Sequence, residues 1–157
     1  MPQQAHIVQV NVSDGGVPKL PIAEGEVPST GIVGDRQRDT EHHGGPQRAI
    51  CLLAAERIEA LQAEGHPIVP GGTGENITTR GIDWDAIAPG TRLKLGDAVE
   101  IELTNYTTPC KFIAANFEGG DFNRLNQKTN PGWSRIYARV ISTGTVRPGD
   151  AITVLTR

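Results

Sequence analysis

Apolar and polar residues alternate through His6-Ile7-Val8-Gln9-Val10-Asn11-Val12, and the run stops at Asp14-Gly15-Gly16. A period of two that ends in a turn signature predicts a half-buried strand. A second short strand is expected near Val17 to Leu20. From Glu24 to Gln47 the periodicity is lost, and with Gly31, Gly34, Gly44 and Gly45 the segment reads as a long loop of the kind that usually carries function. Ala49-Ile50-Cys51-Leu52-Leu53-Ala54 is continuously apolar and reads as a buried strand. It leads into the one convincing helix, about Ala54 to Glu64, with Ala54, Ile58 and Leu61 at helical intervals and a stop at Gly65-His66-Pro67.

Later in the chain a short strand is expected at Glu75 to Thr79, and Leu93 to Thr104 holds two alternating segments around Gly96-Asp97, a hairpin signal. Phe112 to Asn126 has room for one or two short helices, and Arg135 to Ser142 reads as a strand. The segment Gly149-Asp150-Ala151-Ile152-Thr153-Val154 echoes Gly96-Asp97-Ala98-Val99-Glu100-Ile101, so both read as turn-then-strand units of one sheet system. The pattern predicts a mainly β fold, an antiparallel barrel or sandwich decorated with short helices, in a single domain over residues 1–157.

Composition sharpens this. The 19 glycines and 11 prolines are spread along the chain, as many short strands joined by turns require. A net charge of −3 without any Lys/Arg block argues against a general nucleic-acid binder, whose affinity comes from neutralising phosphates. Eleven of the fifteen basic residues are arginines, a bias toward planar, bidentate recognition of anions. There is no apolar run of the roughly 20 residues that cross a bilayer, and the opening residues do not resemble a signal peptide. We therefore expect a cytoplasmic protein with no membrane partner, in which both cysteines are free thiols.

The two cysteines differ. Cys51 lies in hydrocarbon and reads as core, whereas Cys110 follows Pro109 in the polar run Tyr106-Thr107-Thr108-Pro109-Cys110-Lys111. A reactive thiol needs exposure and neighbouring positive charge or hydrogen-bond donors, and Cys110 has Lys111 beside it. Small and polar residues also collect at Gly34-Asp35, at His43-Gly44-Gly45-Pro46-Gln47-Arg48, at Gly71-Gly72-Thr73-Gly74-Glu75-Asn76, and at Trp133-Ser134-Arg135 with Arg139. Asp35, Asp97 and Asp150 sit beside glycine, where turns explain them.

The order of these segments, G-D, H-G-G-P-x-R-A, P-G-x-x-G-E-N, P-C and a late aromatic-A-R-V followed by G-x-V-x-x-G-D, resembles the MOSC domain, named after the C-terminal part of molybdenum-cofactor sulfurases. The match runs from about Gly31 to Leu155. The resemblance implies a β-barrel with a few short peripheral helices that binds a molybdopterin-type molybdenum cofactor, with Cys110 as molybdenum ligand. Relatives include reductases of N-hydroxylated compounds and sulfurase domains with a proposed sulfur-carrier role. It implies a small-molecule substrate and either a separate electron-donor protein or a cysteine desulfurase that charges Cys110 as a persulfide. A non-catalytic module that binds an anion or cofactor is the third expectation.

An anionic cofactor calls for backbone N–H groups at glycine-rich turns and for guanidinium groups. Gly44, Gly45 and the loop 71–74 are the candidates for the first, and Arg48, Arg135 and Arg139 for the second, with Arg36 and Arg38 behind them. Asn76 suits a pterin edge or an oxo group, and His43 a proton donor or a hydrogen bond to an oxo ligand. One departure stands out. Many members of the family carry an arginine two residues before the Pro-Cys pair, where this chain has Thr107, so charge neutralisation must come from elsewhere.

Overall fold

A computed structural model describes residues 4–35 and 46–156. Ten strands occur among them: β1 (His6–Val12), β2 (Leu20–Ile22), β3 (Gly25–Val27), β4 (Ile50–Ala54), β5 (Ile77–Arg80), β6 (Arg92–Leu95), β7 (Val99–Tyr106), β8 (Ile136–Ser142), β9 (Gly144–Val146) and β10 (Ile152–Thr156). Eight form one sheet in the order β10-β6-β7-β8-β4-β5-β1-β2, and β3 pairs with β9. Every pairing is antiparallel except that of β4 with β5. That parallel pair needs a crossover, and the helix α1 (Ala55–Ala63) supplies it.

At one end of this order β10 also reaches β1, the strand next to the other end. Ile7 N donates to Asp150 O, Gly149 N to Ile7 O and Ile152 N to Ala5 O, at 2.7–2.9 Å, so the start of β1 is bonded to the start of β10. The echoing turn segments prove to be neighbours: β10 pairs with β6, and Gly96 N donates to Ala151 O.

β4 is buried on both faces, which is why its sequence is unbroken hydrocarbon rather than alternating. Ile50, Leu52 and Ala54 join Ile7, Ile101 and Ile136 in the core that the sheet encloses. Leu53 points the other way, into a second core with Ile58 and Leu61 of α1 and with Ile113, Phe117 and Leu125 from the 3-10 segments between β7 and β8. The helix is one residue shorter at each end than expected, because Ala54 still belongs to β4. It ends where Gly65 adopts φ 102° and His66 N reaches back to Leu61 O.

Two expectations are corrected. The second strand begins at Leu20 rather than near Val17, because Val17 packs into the second core and Lys19 N donates to Gly71 O instead of to a ladder. Within the expected loop, β3 pairs with β9. Leu52→Ala should lower the unfolding free energy by roughly 2–5 kcal/mol in urea denaturation, since a fully buried side chain leaves a cavity.

Candidate functional site

Cys110 is half-buried and opens the 3-10 segment Lys111–Asn116, with Ile113 N donating to its carbonyl. Three residues earlier, Thr107 is buried in a polar cluster on the side of β4 and β8 away from the enclosed core. The period of β8 builds that cluster: Ile136 and Ala138 enter the core, while Arg135 and Tyr137 are buried on the opposite face. Thr107 N donates to Arg135 O at 3.0 Å, and Ser134 Oγ donates to Thr107 O at 3.1 Å.

Cys51 stands opposite Tyr137 across the β4–β8 pair. The thiol is not in plain hydrocarbon, as its sequence surroundings led us to expect. Its Sγ lies 3.7 Å from Thr107 Oγ1, and Arg135, Glu75 and Lys19 are close enough to act on it electrostatically. Burial outweighs these influences and pushes the Cys51 thiol up, so it stays protonated. Burial likewise pushes Tyr137 well above the usual phenol value.

Asn76 is fully buried and bound on all sides. Its Oδ1 accepts from Cys51 N at 2.9 Å, and its Nδ2 donates to Asn11 O at 3.2 Å and Asp35 Oδ2 at 3.0 Å. The side-chain amide therefore ties β1, β4 and Asp35 together. Asp35 does more than turn the chain. Its carboxylate takes Lys19 Nζ on both oxygens at 2.7 Å, with the two side chains only 2% and 6% exposed, and accepts Ser13 N at 3.0 Å.

The loop 71–74 is braced rather than open. Glu75 accepts Gly71 N at 2.8 Å, Thr78 Oγ1 at 2.9 Å and Thr73 Oγ1 at 3.2 Å. Gly72 N donates to Val69 O and Gly74 N to Gly71 O, so these glycine N–H groups already have partners. The glycines serve close approach instead: a Cβ at Gly71 would strike Lys19 O, and one at Gly72 would strike Asn116 Oδ1. Asn116 Nδ2 in turn donates to Gly72 O at 3.0 Å, fastening the loop to the segment that Cys110 opens.

Of the expected residues, the structure gathers Arg135 and Asn76 around Cys51 and Thr107. Arg135 is 5% exposed; its Nη1 donates to Thr73 O and its Nε has no partner. Arg48 ends the 3-10 turn Pro46–Arg48 with its guanidinium 5.8 Å from the centre of the Tyr137 ring. Arg139 stands apart, its Nε donating to Glu102 Oε1 at 2.8 Å beside Arg92. His43, Gly44 and Gly45, with Arg36 and Arg38, lie outside the described residues.

From sequence alone Lys19 goes unnamed, Asp35 has only a turn, and Glu75 and Tyr137 have no part in the site. The alternation Arg135-Ile136-Tyr137 could have flagged Tyr137, but Lys19 and Asp35 meet only in three dimensions. A separate cleft of about 160 Å³ at Glu56, Arg57, Asp83 and Asp85 holds none of the expected residues. Its carboxylates are engaged by Gly81 N, Asp85 N and Arg57.

Lys19→Met should cost roughly 3 kcal/mol or more in chemical denaturation, because Asp35 would keep a buried charge without its cation. Adding Asp35→Leu should recover part of the loss. Burial raises Glu75 above the ordinary carboxylate value, so the folded state favours its protonated form. That contribution is complete below about pH 4.3, the unfolded value, and is lost as pH climbs through the folded one. Stability measured against pH should therefore fall for the wild type relative to Glu75→Gln from about pH 4 upward; parallel curves would contradict the assignment.

The MOSC domain model matches residues 39–153. The YflK protein of Bacillus subtilis is 30% identical over 79% of this chain and 55% of its own length. A protein of Gibberella moniliformis named as a reductase is 29% identical over 82% of this chain and 23% of its own. The chain thus spans about half the length of the first relative and under a quarter of the second. The crystal structure of YiiM from Geobacillus stearothermophilus superposes with a TM-score of 0.75 at 24% identity, covering 98% of this chain and 76% of that one, a likeness of fold. The match of sequence along most of the chain and the shared mainly β architecture place it in the MOSC domain family.

Proposed function

We propose that the protein binds a molybdopterin-type molybdenum cofactor, ligates its metal through the Cys110 thiolate, and reduces N-oxygenated small molecules with electrons from a separate donor protein. The observation that carries this reading is the half-buried Cys110 thiol, three residues along the chain from Thr107 of the buried polar cluster, in a chain of the MOSC family. The reductase name of one relative supports it.

The residues present fit such a group. Molybdenum favours soft sulfur donors, and a single protein thiol suffices where a dithiolene brings two more. Among the described residues no group of three or more His, Cys, Asp or Glu side chains is placed to hold a metal, so Cys110 has no rival cluster. Arg135, a buried cation with an unused N–H, suits a negatively charged guest. Once bound, the cofactor would supply two-electron redox chemistry.

The chain's own residues would then hold and shield. Cys110 presents the sulfur, while Thr107, Cys51 and Tyr137 close the interior behind it and keep water out. Arg48, Gly44 and Gly45 add hydrogen-bond donors, and His43 hands a proton to the substrate. Asn76 steadies this wall through Cys51 N and Asp35, and Arg139 is the more remote cation. We read the bonds between the starts of β1 and β10 as the closure of a barrel in one domain, working in the cytoplasm, where both thiols stay reduced. Among the described residues no helix is long and apolar enough to cross a membrane.

The same exposed thiol supports a second reading, a sulfur carrier charged by a cysteine desulfurase. One experiment separates the two. Produced in cells that make the cofactor, wild-type protein should carry molybdenum near one equivalent, and Cys110→Ser at least tenfold less at an unchanged circular-dichroism spectrum. Folded wild type without metal, yet with sulfur added to the Cys110 peptide in mass spectrometry after desulfurase treatment, would replace the first reading by the second.

A further inference from the structure

Cys110 lies between two fixed points. Upstream, Thr107 N donates to Arg135 O, and Thr107 O accepts from Ser134 Oγ. Downstream comes the 3-10 run Lys111–Asn116, six residues long, in which Ile113 alone is buried. Runs of this kind are uncommon beyond three or four residues, because their hydrogen bonds are poorly aligned. One this long needs support from outside itself.

Asn116 gives that support. Its Nδ2 donates to Gly72 O at 3.0 Å and to Ile113 O at 3.1 Å. Both partners are carbonyls, so only the NH2 group of the amide can serve them. Ile113 N in turn donates to Cys110 O at 3.1 Å. Three hydrogen bonds thus lead from the loop 71–74, through Asn116 and Ile113, to the residue that bears the thiol.

The far end of this relay is held firmly. Gly71 N donates to Glu75 Oε2, Gly71 O accepts from Lys19 N and Gly74 N, and Gly72 N donates to Val69 O. Gly72 is not among the glycines with positive φ, so its backbone conformation does not call for glycine. Space does: a Cβ there would strike Asn116 Oδ1. The glycine and the asparagine are fitted to each other.

We infer that Asn116 is the positioning residue of Cys110: by tying the 3-10 run to the loop 71–74, it fixes the direction in which the thiol is presented. It acts through Ile113 and not on the sulfur. The inference rests on the proposed function only for the use made of the thiol, and it holds for a metal ligand and a sulfur carrier alike.

Alkylation by iodoacetamide tests it, at one pH, in protein from cells unable to make the cofactor, with each cysteine peptide followed by mass spectrometry. Cys51 is the internal control, because at 3% exposure it is reached only when the whole fold opens. Asn116→Ala should free the run and speed modification of Cys110 at least threefold, while Cys51 stays as slow as in the wild type. Asn116→Asp keeps the size of the side chain but turns oxygens toward two carbonyls, so it should act as the alanine variant does. Gly72→Ala pushes the amide aside from its other partner and should match them. Combined with Asn116→Ala it should add little, since both remove one contact. Leu93→Ala, which opens a cavity in the enclosed core and not in the one that holds Ile113, should leave the Cys110 rate unchanged.

A smaller change at Cys110 in folded Asn116→Ala, a wild-type rate in Asn116→Asp, or a parallel rise at Cys51 would overturn the assignment. Should the alanine variant not fold, Gly72→Ala carries the same reading. The readout needs no cofactor, so the two proposals fail separately. Wild type that never takes up molybdenum, with the Asn116 variants alkylated faster, sinks the metal and keeps the positioning role. Wild type that takes it up, with those variants alkylated at the wild-type rate, does the reverse.

Discussion

Burial of β4 on both faces is the constraint on which the rest of the molecule depends. Leu52 and Leu53 are adjacent in sequence yet belong to different cores, so five residues join the sheet's interior to the helical layer outside it. A strand covered on both sides cannot leave its backbone groups unpaired. At Cys51 the pairing is completed by a side chain: Asn76 Oδ1 accepts Cys51 N, and Asn76 N donates to Cys51 O. The register that seals the cores thereby also fixes the position of the polar cluster.

That cluster is an unusual thing for the fold to hold. Lys19, Asp35, Glu75, Asn76, Thr107 and Arg135 are all buried or nearly so. Among the described residues each charged or polar group there is met by an opposite charge or by directed hydrogen bonds, apart from the Nε of Arg135, as low-dielectric surroundings demand. The polarity follows from the elements available: a glycine loop that can approach Lys19 O and Asn116 Oδ1, and a strand end that turns Arg135 inward.

Much of the architecture was legible in the sequence because period and turn chemistry are local. The alternation of β1, the β6–β7 hairpin and the apolar run of β4 each announced themselves, and the helix was displaced by one residue at either end. β3 was not legible, since a three-residue strand has too few positions to show a period and depends on its partner β9. At the site, the contrast between the two cysteines was readable in part. Cys110 is the more exposed, but Cys51 has polar neighbours that come from Thr107 and Arg135, far along the chain. The glycines of the loop 71–74 were visible and their use was not: backbone donors were expected, whereas Gly71, Gly72 and Gly74 already donate within the protein.

The bonds that join Ala5 and Ile7 to Gly149, Asp150 and Ile152 bring the described beginning and end of the chain side by side. Domains with neighbouring termini tolerate being re-cut. A short linker could splice these ends while new ones are opened at the exposed turn around Pro89-Gly90, residues that belong to neither core. By the same geometry the whole unit can sit within a larger polypeptide as an insertion, entering and leaving its host through adjacent strands.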